Sequence, residues 1–231
     1  MPVVLLTPVG LDADSWDWCG PPSGAERHVW PGHGDRPLAA TPPDIAALAD
    51  EVAATYDGML DLVGVSLGGM VAQHVAIRHP DRVRSMFAAC TTWQGDPETM
   101  AQRARIARED MPAAIEEAMP RWFTPGFLER GHPAIDYSRR TLGALDPEAF
   151  AQVWEAIAGH DALDALAGVR ARTTVLAGRQ DASSPPELGE AIASRVPGAR
   201  LVVLDGPHML HLEDGPAFGA EVRDHLARIG T

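Results

Sequence analysis

Short apolar runs alternate with segments of helically spaced apolar residues along most of the chain. The runs at 3–6, 27–30, 60–63, 83–89, 173–177 and 200–204 predict strands, several of them buried on both faces. Helical spacing follows at 45–52, 70–79, 187–195 and 216–228. We expect the first of these helices to open at Pro42 and Pro43, with Asp44 in its first turn. The alternation predicts an α/β fold with a mostly parallel sheet.

The segment from residue 93 to residue 166 departs from this pattern. It is rich in Ala, Arg and Glu, and it contains no strand pattern. Prolines interrupt it, among them Pro112, Pro120, Pro125, Pro133 and Pro147. We therefore expect a helical cap at 93–166, inserted into an α/β core made of 1–92 and 167–231.

Composition and charge narrow the classes of function. Apolar residues make up 45% of the 231 positions and charged residues 22%, so the chain can bury a core of its own. A formal net charge of −13 disfavours nucleic acid and anionic membrane surfaces as partners. The sequence contains no lysine, which excludes Schiff-base chemistry on a lysine. No apolar run approaches the ~20 residues of a membrane span, and the first residues do not resemble a signal peptide. Two distant cysteines, Cys19 and Cys90, favour the cytoplasm.

The stretch 64–68, G-V-S-L-G, lies between a predicted strand and a predicted helix. In that context the G-x-S-x-G motif places its serine on a tight, strained turn, with the hydroxyl above the sheet and a helix N-terminus behind it. A glycine-rich turn with an incidental serine is the alternative interpretation. The strand–turn–helix context favours Ser66 as a nucleophile.

A nucleophilic serine needs a general base and an acid that orients the base. Asp181 follows the strand predicted at 173–177, and His208 follows the strand predicted at 200–204. Both therefore lie past the C-terminal ends of strands, in the chain order Ser, Asp, His that this architecture uses. We predict that His208 takes the proton of Ser66 and that Asp181 holds the imidazole tautomer. Asp205 is too close to His208 in sequence to be the preferred partner.

The tetrahedral intermediate of such a reaction needs N–H donors. Leu67, the residue after the nucleophile, is predicted to supply one donor, and Val9, in the loop after the first strand, the other. Pro8 has no N–H and cannot contribute. His33, within the sequence Pro-Gly-His-Gly, is interpreted as a residue that fixes a loop by hydrogen bonding.

No motif predicts a metal site or a cofactor. The nine histidines form no H-E-x-x-H motif, and no predicted strand leads into G-x-G-x-x-G. The spacing of His208 and His211, near Glu213 and Asp214, is only a weak signal for a metal site. We therefore predict neither a metal nor a cofactor.

Together these motifs resemble those of the α/β-hydrolase superfamily, and more narrowly those of the 3-oxoadipate enol-lactonases of aromatic catabolism. The resemblance extends from about Val3 to Phe218. The stretches 64–69 and 208–213 are typical of the superfamily, whereas 121–125 (R-W-F-T-P) and 181–186 (D-A-S-S-P-P) are typical of the lactonase branch. The resemblance implies an α/β-hydrolase fold and a serine hydrolase that opens a small lactone or cleaves a carboxylic ester.

Three features depart from the lactonase pattern. The chain starts at the first parallel strand, without the usual N-terminal β-hairpin. Thr7 and Pro8 stand where many superfamily members carry His-Gly, and Trp154 occupies a cap position where a smaller residue is common. The sequence leaves open a homo-oligomer in which a second subunit covers an edge of the sheet.

Substrate contacts are expected from the cap and from the loop after the first strand. Trp122 and Trp154, together with Trp16, are predicted to line an apolar pocket, and a small core within the cap is the alternative for the cap aromatics. Arg121 is a candidate partner for a substrate carboxylate, as are Arg139 and Arg140, although for each of them a solvated surface arginine is the favoured interpretation. The expected partner is a small ester or lactone. A cofactor-free lyase or cyclase that keeps the same residues without an acyl-enzyme is the alternative function.

Overall fold

The structure, a computed structural model, describes residues 1–229 and contains a six-stranded sheet. The last two residues, Gly230 and Thr231, lie outside the described part and so does that end of the predicted 167–231 segment. The strand order is β2-β1-β3-β4-β5-β6, and each neighbouring pair is parallel. The bounds are β1 Val3–Leu6, β2 Glu26–His28, β3 Leu60–Val65, β4 Val83–Ala89, β5 Arg172–Gly178 and β6 Arg200–Leu204. The predicted α/β fold with a mostly parallel sheet is confirmed, and each neighbouring pair of strands in this sheet is parallel.

Helices connect the strands and fill the middle of the chain. Those of the core are α1 Ile45–Thr55, α2 Leu67–Arg78, α8 Pro186–Arg195, α9 Leu210–Glu213 and α10 Gly215–Ile229. Those of the segment 93–166 are α3 Pro97–Glu109, α4 Met111–Trp122, α5 Pro125–Arg130, α6 Pro133–Ala144 and α7 Pro147–Ala158. Short 3₁₀ turns occupy Ala13–Cys19 and Ala165–Gly168. No helix within residues 1–229 has both the length and the apolar character needed to cross a membrane.

Alternate side chains of the strands enter two hydrophobic cores on opposite faces of the sheet. In β1, Val4 and Leu6 pack into the larger core, which also contains side chains of α1, α2 and the cap. Leu5, between them, packs into the smaller core with Phe218 and Val222 of α10. Because successive strand residues point to opposite faces, a strand covered on both faces must be apolar throughout. This requirement produces the continuous apolar runs in the sequence.

Most differences between the predicted and observed elements lie at element ends. The strand predicted at 60–63 continues to Val65, and the helix predicted from residue 70 begins at Leu67. Asp44 is not in the first turn of α1 but caps it, because its carboxylate accepts the N–H of Ala47 at 2.7 Å. Trp30, predicted within a strand, lies beyond β2, and its indole N–H donates to the carbonyl oxygen of Thr7 at 2.9 Å.

The turn between β3 and α2 is limited by backbone contacts. Ser66 has φ 54° and ψ −115°, a conformation that side-chain-bearing residues rarely adopt. A Cβ on Gly64 would lie 2.2 Å from the carbonyl oxygen of Gly68, and a Cβ on Gly68 would lie 2.0 Å from the carbonyl oxygen of Leu6. Only glycine fits at both positions. The Thr91 hydroxyl donates to the Ser66 carbonyl oxygen at 2.8 Å and holds the turn from the neighbouring strand end.

We predict that Gly68→Ala destabilises the protein, because the added methyl group collides with the main chain of β1. The expected loss in the free energy of unfolding is about 1–3 kcal/mol. Gly143→Ala on α6 is the matched control, since its Cβ would meet nothing closer than 3.8 Å. Urea unfolding of both variants checks the prediction, and equal stability of the two would contradict it.

Five buried histidines make the stability of the fold depend on pH. Burial is the largest cause that lowers their pKa from 6.5, to about 4 for His28, His33, His160 and His225 and to about 3 for His211. The unfolded chain therefore binds protons below pH 6.5 that the folded chain does not bind. As far as these histidines determine it, the free energy of unfolding is highest above pH 6.5 and decreases as the pH falls toward 4.

His211 provides the sharpest test of this effect, since neither of its ring nitrogens has a hydrogen-bond partner within the described chain. When the pH is lowered from 8.0 to 5.5, we predict that the free energy of unfolding decreases by about 1 kcal/mol less in His211→Leu than in the parent protein. Urea unfolding at the two pH values measures the difference, with pH 8.0 as the internal reference. An unchanged pH dependence would refute the assignment.

Candidate active site

Three loops at the C-terminal ends of parallel strands bring Ser66, Asp181 and His208 together. Ser66 follows β3, Asp181 follows β5, and His208 follows β6. All three side chains are buried. The order of these strands in the sheet brings residues from distant parts of the sequence to one edge, where ligands bind in open α/β sheets.

The three side chains form one row of hydrogen bonds. Ser66 Oγ lies 2.9 Å from His208 Nε2, and His208 Nδ1 lies 2.8 Å from Asp181 Oδ2. Because the carboxylate can only accept, the hydrogen bond to Asp181 places the proton of His208 on Nδ1, and Nε2 accepts a hydrogen bond from the serine hydroxyl. This is the geometry that a Ser–His–Asp nucleophile requires.

The surroundings of Asp181 fix its orientation. Its other oxygen, Oδ1, accepts the backbone N–H groups of Ser183 and Ser184, both at 2.8 Å. Asp205, the acid rejected from the sequence, lies instead at the surface, where it pairs with Arg179 at 2.7 Å. The carboxylate beside His208 is thus held at both of its oxygens.

Directly after β1, at residues 7–10, one main-chain N–H has no acceptor within residues 1–229. Thr7 N–H donates to the His28 carbonyl oxygen at 3.3 Å, and Gly10 N–H donates to His33 Nε2 at 3.1 Å. Pro8 has no N–H. Among residues 7–10, therefore, only the N–H of Val9 lacks an acceptor within residues 1–229. The N–H of Leu67, at the start of α2, likewise has no acceptor in that part of the chain.

His33 fixes this loop, as the sequence predicted. Its Nδ1 donates to the Pro31 carbonyl oxygen at 3.1 Å, which leaves Nε2 as the acceptor for Gly10. Burial lowers the pKa of His33 to about 4, so the ring stays neutral at neutral pH and keeps this acceptor. The loop that carries Val9 is thereby tied to the Pro-Gly-His-Gly turn.

A cavity of about 250 Å³ opens above Ser66 and His208. The predicted Arg121, Trp122 and Trp154 line it. Sequence reasoning missed other residues of its wall, among them Gln94, Arg103, Ser183 and Leu188. Arg103 is one of several arginines in α3, and its position in the sequence does not distinguish it from its exposed neighbours.

Three other residues proposed for the pocket do not line this cavity, and the prediction for Trp16 is wrong. It is buried against His211 and Phe218 in the smaller core and is not part of the cavity wall, because the 3₁₀ turn Ala13–Cys19 carries it to the α10 side of the sheet. Arg139 pairs with Glu116 at 3.1 Å. Arg140 lines a second cavity, which also includes Gly10 and His33.

The cap is bonded to the loop that carries His208. The Thr124 hydroxyl donates to Glu213 Oε1 at 2.5 Å, and the Thr124 N–H donates to Glu213 Oε2 at 3.0 Å. The N–H of Met209 donates to the Trp122 carbonyl oxygen at 3.0 Å. Hydrogen bonds therefore join two motifs that are far apart in the sequence, 121–125 and 208–213.

The histidines near His208 do not converge on a metal site. His211 lies between aromatic rings, and no group of three or more histidine, cysteine or acidic side chains within residues 1–229 is arranged to hold a metal ion.

Comparison with known proteins places the chain in a family. A model of the "Alpha/beta hydrolase family" matches residues 3–221. The pimeloyl-(acyl-carrier protein) methyl ester esterase of Neisseria meningitidis serogroup B is 36% identical, over 85% of this chain and 80% of its own. The 3-oxoadipate enol-lactonase 2 of Acinetobacter baylyi is 28% identical, over 85% of this chain and 76% of its own.

A solved structure agrees with both matches. The enol-lactonase from Burkholderia xenovorans superposes with a TM-score of 0.93 at 29% identity, over 98% of this chain and 91% of that chain. The similarity covers the sheet, the cap and the loops that carry Ser66, Asp181 and His208. The chain belongs to the alpha/beta hydrolase family.

Proposed function

We propose that this protein is a serine hydrolase that cleaves small carboxylic esters, lactones among them, through an acyl-enzyme on Ser66. The observation that carries the proposal is the buried row of hydrogen bonds from Ser66 through His208 to Asp181, which opens into the cavity under the cap. Relatives that are named as a methyl ester esterase and an enol-lactonase support the class of bond.

In the first half of the reaction, Ser66 Oγ attacks the ester carbonyl carbon while His208 Nε2 takes the hydroxyl proton. The tetrahedral intermediate then expels the alcohol, which leaves with the proton from His208. In the second half, His208 removes a proton from water, the hydroxide attacks the acyl carbon, and Ser66 is released with its proton restored. Asp181 keeps the imidazole oriented and stabilises its charged form throughout.

The negative charge on the carbonyl oxygen needs donors in place before the reaction. We assign this role to the N–H groups of Val9 and Leu67, because neither has an acceptor within residues 1–229. Leu67 lies at the N-terminus of α2, where the helix dipole adds positive potential. His33 acts as a positioning residue, since it fixes Gly10 next to Val9.

The acyl chemistry is the same for an open ester and for a lactone, and only the fate of the alcohol differs. In a lactone the released hydroxyl stays attached to the acyl group, whereas in an ester it departs. We include 3-oxoadipate enol-lactone among the candidate substrates. We also propose a cytoplasmic location, which the two buried free cysteines support. A lyase or cyclase on the same scaffold would form no acyl-enzyme.

Ser66→Ala is predicted to lower kcat/KM for p-nitrophenyl acetate and for the enol-lactone by at least about 10³-fold. Asp181→Asn should lower kcat by about 10⁴-fold, because the imidazole loses the acceptor that fixes its tautomer. Steady-state assays measure both losses. Ser194→Ala, an exposed serine of α8, is the control and should retain parental activity. Undiminished turnover by Ser66→Ala would rule out the mechanism.

His33→Leu is predicted to lower kcat about 10- to 100-fold with a smaller change in KM, because the loop that carries Val9 loses the acceptor for Gly10 N–H. His33→Gln keeps a side-chain acceptor and should recover part of the lost kcat. Initial-rate measurements on p-nitrophenyl acetate separate the two constants. A loss confined to KM, or no recovery by His33→Gln in a folded variant, would remove the positioning role.

A further inference from the structure

Two arginines of the cap lie in the wall of the cavity above Ser66, and both contact the ring of Trp154. Arg103 comes from α3 and Arg121 from α4. Their guanidinium carbons lie 4.9 Å and 5.9 Å from the centroid of the indole ring. Contacts of this kind attract the cation and restrict its orientation, so the donor groups are partly fixed before a ligand arrives.

The carboxylates of Glu117 and Asp96 act on Arg103 electrostatically, but neither forms a direct ion pair with it. No carboxylate of residues 1–229 lies within ion-pair distance of Arg103, and its buried Nε–H has no acceptor. Arg121 has a carboxylate oxygen of Glu117 at 3.7 Å and donates to the Glu117 carbonyl oxygen at 3.2 Å. Asp96 also lines the cavity, but its carboxylate caps α3 through the Thr99 N–H at 2.7 Å.

Burial disfavours the charged form of both arginines, and the charge of Arg103 adds to this effect at Arg121. Burial lowers the pKa of Arg103, and burial together with the charge of Arg103 lowers the pKa of Arg121 to about 10. Arg121 therefore remains cationic at neutral pH. In a chain of net charge −13, where other arginines such as Arg108 and Arg200 are paired with acids, a half-buried pair of this kind is unusual. An anion bound between the two guanidinium groups would remove the repulsion.

We propose that Arg103 and Arg121, held against Trp154, form an anion subsite that binds a carboxylate on the acyl part of the substrate. The assignment rests on the hydrolase function proposed above, and it narrows the substrates to monoesters of short dicarboxylic acids and to lactones that carry a carboxylate. The acyl part is chosen because it stays in the cavity through both halves of the reaction. Arginine pairs with a carboxylate through two parallel N–H donors, which a neutral chain end cannot match.

The negative net charge of the protein is a second reason to expect a cationic subsite. The acidic surface repels an anionic substrate at long range, so such a substrate needs local cations to bind. Arg103 and Arg121 place them inside the cavity, where the low dielectric strengthens the attraction.

The kinetic test compares monomethyl glutarate and monomethyl adipate with methyl pentanoate and methyl hexanoate, which have the same acyl chain lengths and no charge. Methanol release gives kcat/KM for each, and the parent enzyme should prefer the charged esters. Arg103→Gln and Arg121→Gln should each lower the preference for charged over neutral esters about 10- to 100-fold. Arg105→Gln, an exposed arginine of the same helix, is the matched control and should keep the preference. Equal use of charged and neutral esters by the parent would overturn the subsite.

A binding test separates this inference from the hydrolase function. Calorimetric titration of glutarate into Ser66→Ala needs no turnover, and it should detect binding that is about 10- to 100-fold weaker when Arg103→Gln is added. Glutarate binding that depends on Arg103, without any ester cleavage by the parent, would support the subsite and refute the hydrolase. Ester cleavage through Ser66 with glutarate binding that is unchanged by both arginine variants would support the hydrolase and refute the subsite.

Discussion

The contact of backbone with backbone at the Ser66 turn is the constraint on which the rest of the site depends. Gly68 touches the carbonyl oxygen of Leu6 in β1, and Gly64 touches the start of α2, so the turn, the first strand and the helix fix one another. The strained, positive-φ conformation of Ser66 persists because this packing leaves no alternative. It lifts the serine hydroxyl toward His208 and leaves the N–H of Leu67 without an acceptor.

The other parts of the site are positioned by similar ties between distant segments. The carboxylate of Asp181 is held by two main-chain N–H groups, and the loop of His208 is bonded to the cap through Thr124 and Glu213. The segment 93–166 therefore both lines the cavity above Ser66 and is bonded to the loop that carries His208. A change in the cap at Thr124 bears directly on the segment that begins with His208.

Much of the fold and the hydrogen-bonded row could be predicted because their signals are local. The apolar runs reflect strands buried on both faces, and G-x-S-x-G reflects the close approach of main chains at Ser66. The cavity wall could not be predicted in the same way. Trp16 is near Val9 in sequence but turns to the opposite face of the sheet, and Arg103 enters the cavity because α3 packs on α7. Such positions depend on packing between elements, which spacing along one element does not record.

The central claim is that Ser66 is an activated nucleophile that forms a covalent acyl-enzyme. The most direct measurement is the mass of the intact protein after reaction with a small organophosphonate ester, followed by peptide mapping. The account predicts one adduct on Ser66, which is absent from Ser66→Ala and forms much more slowly in His208→Ala. A protein that gains no mass, or that is labelled equally when His208 is replaced, would contradict the account and favour a reaction without an acyl-enzyme.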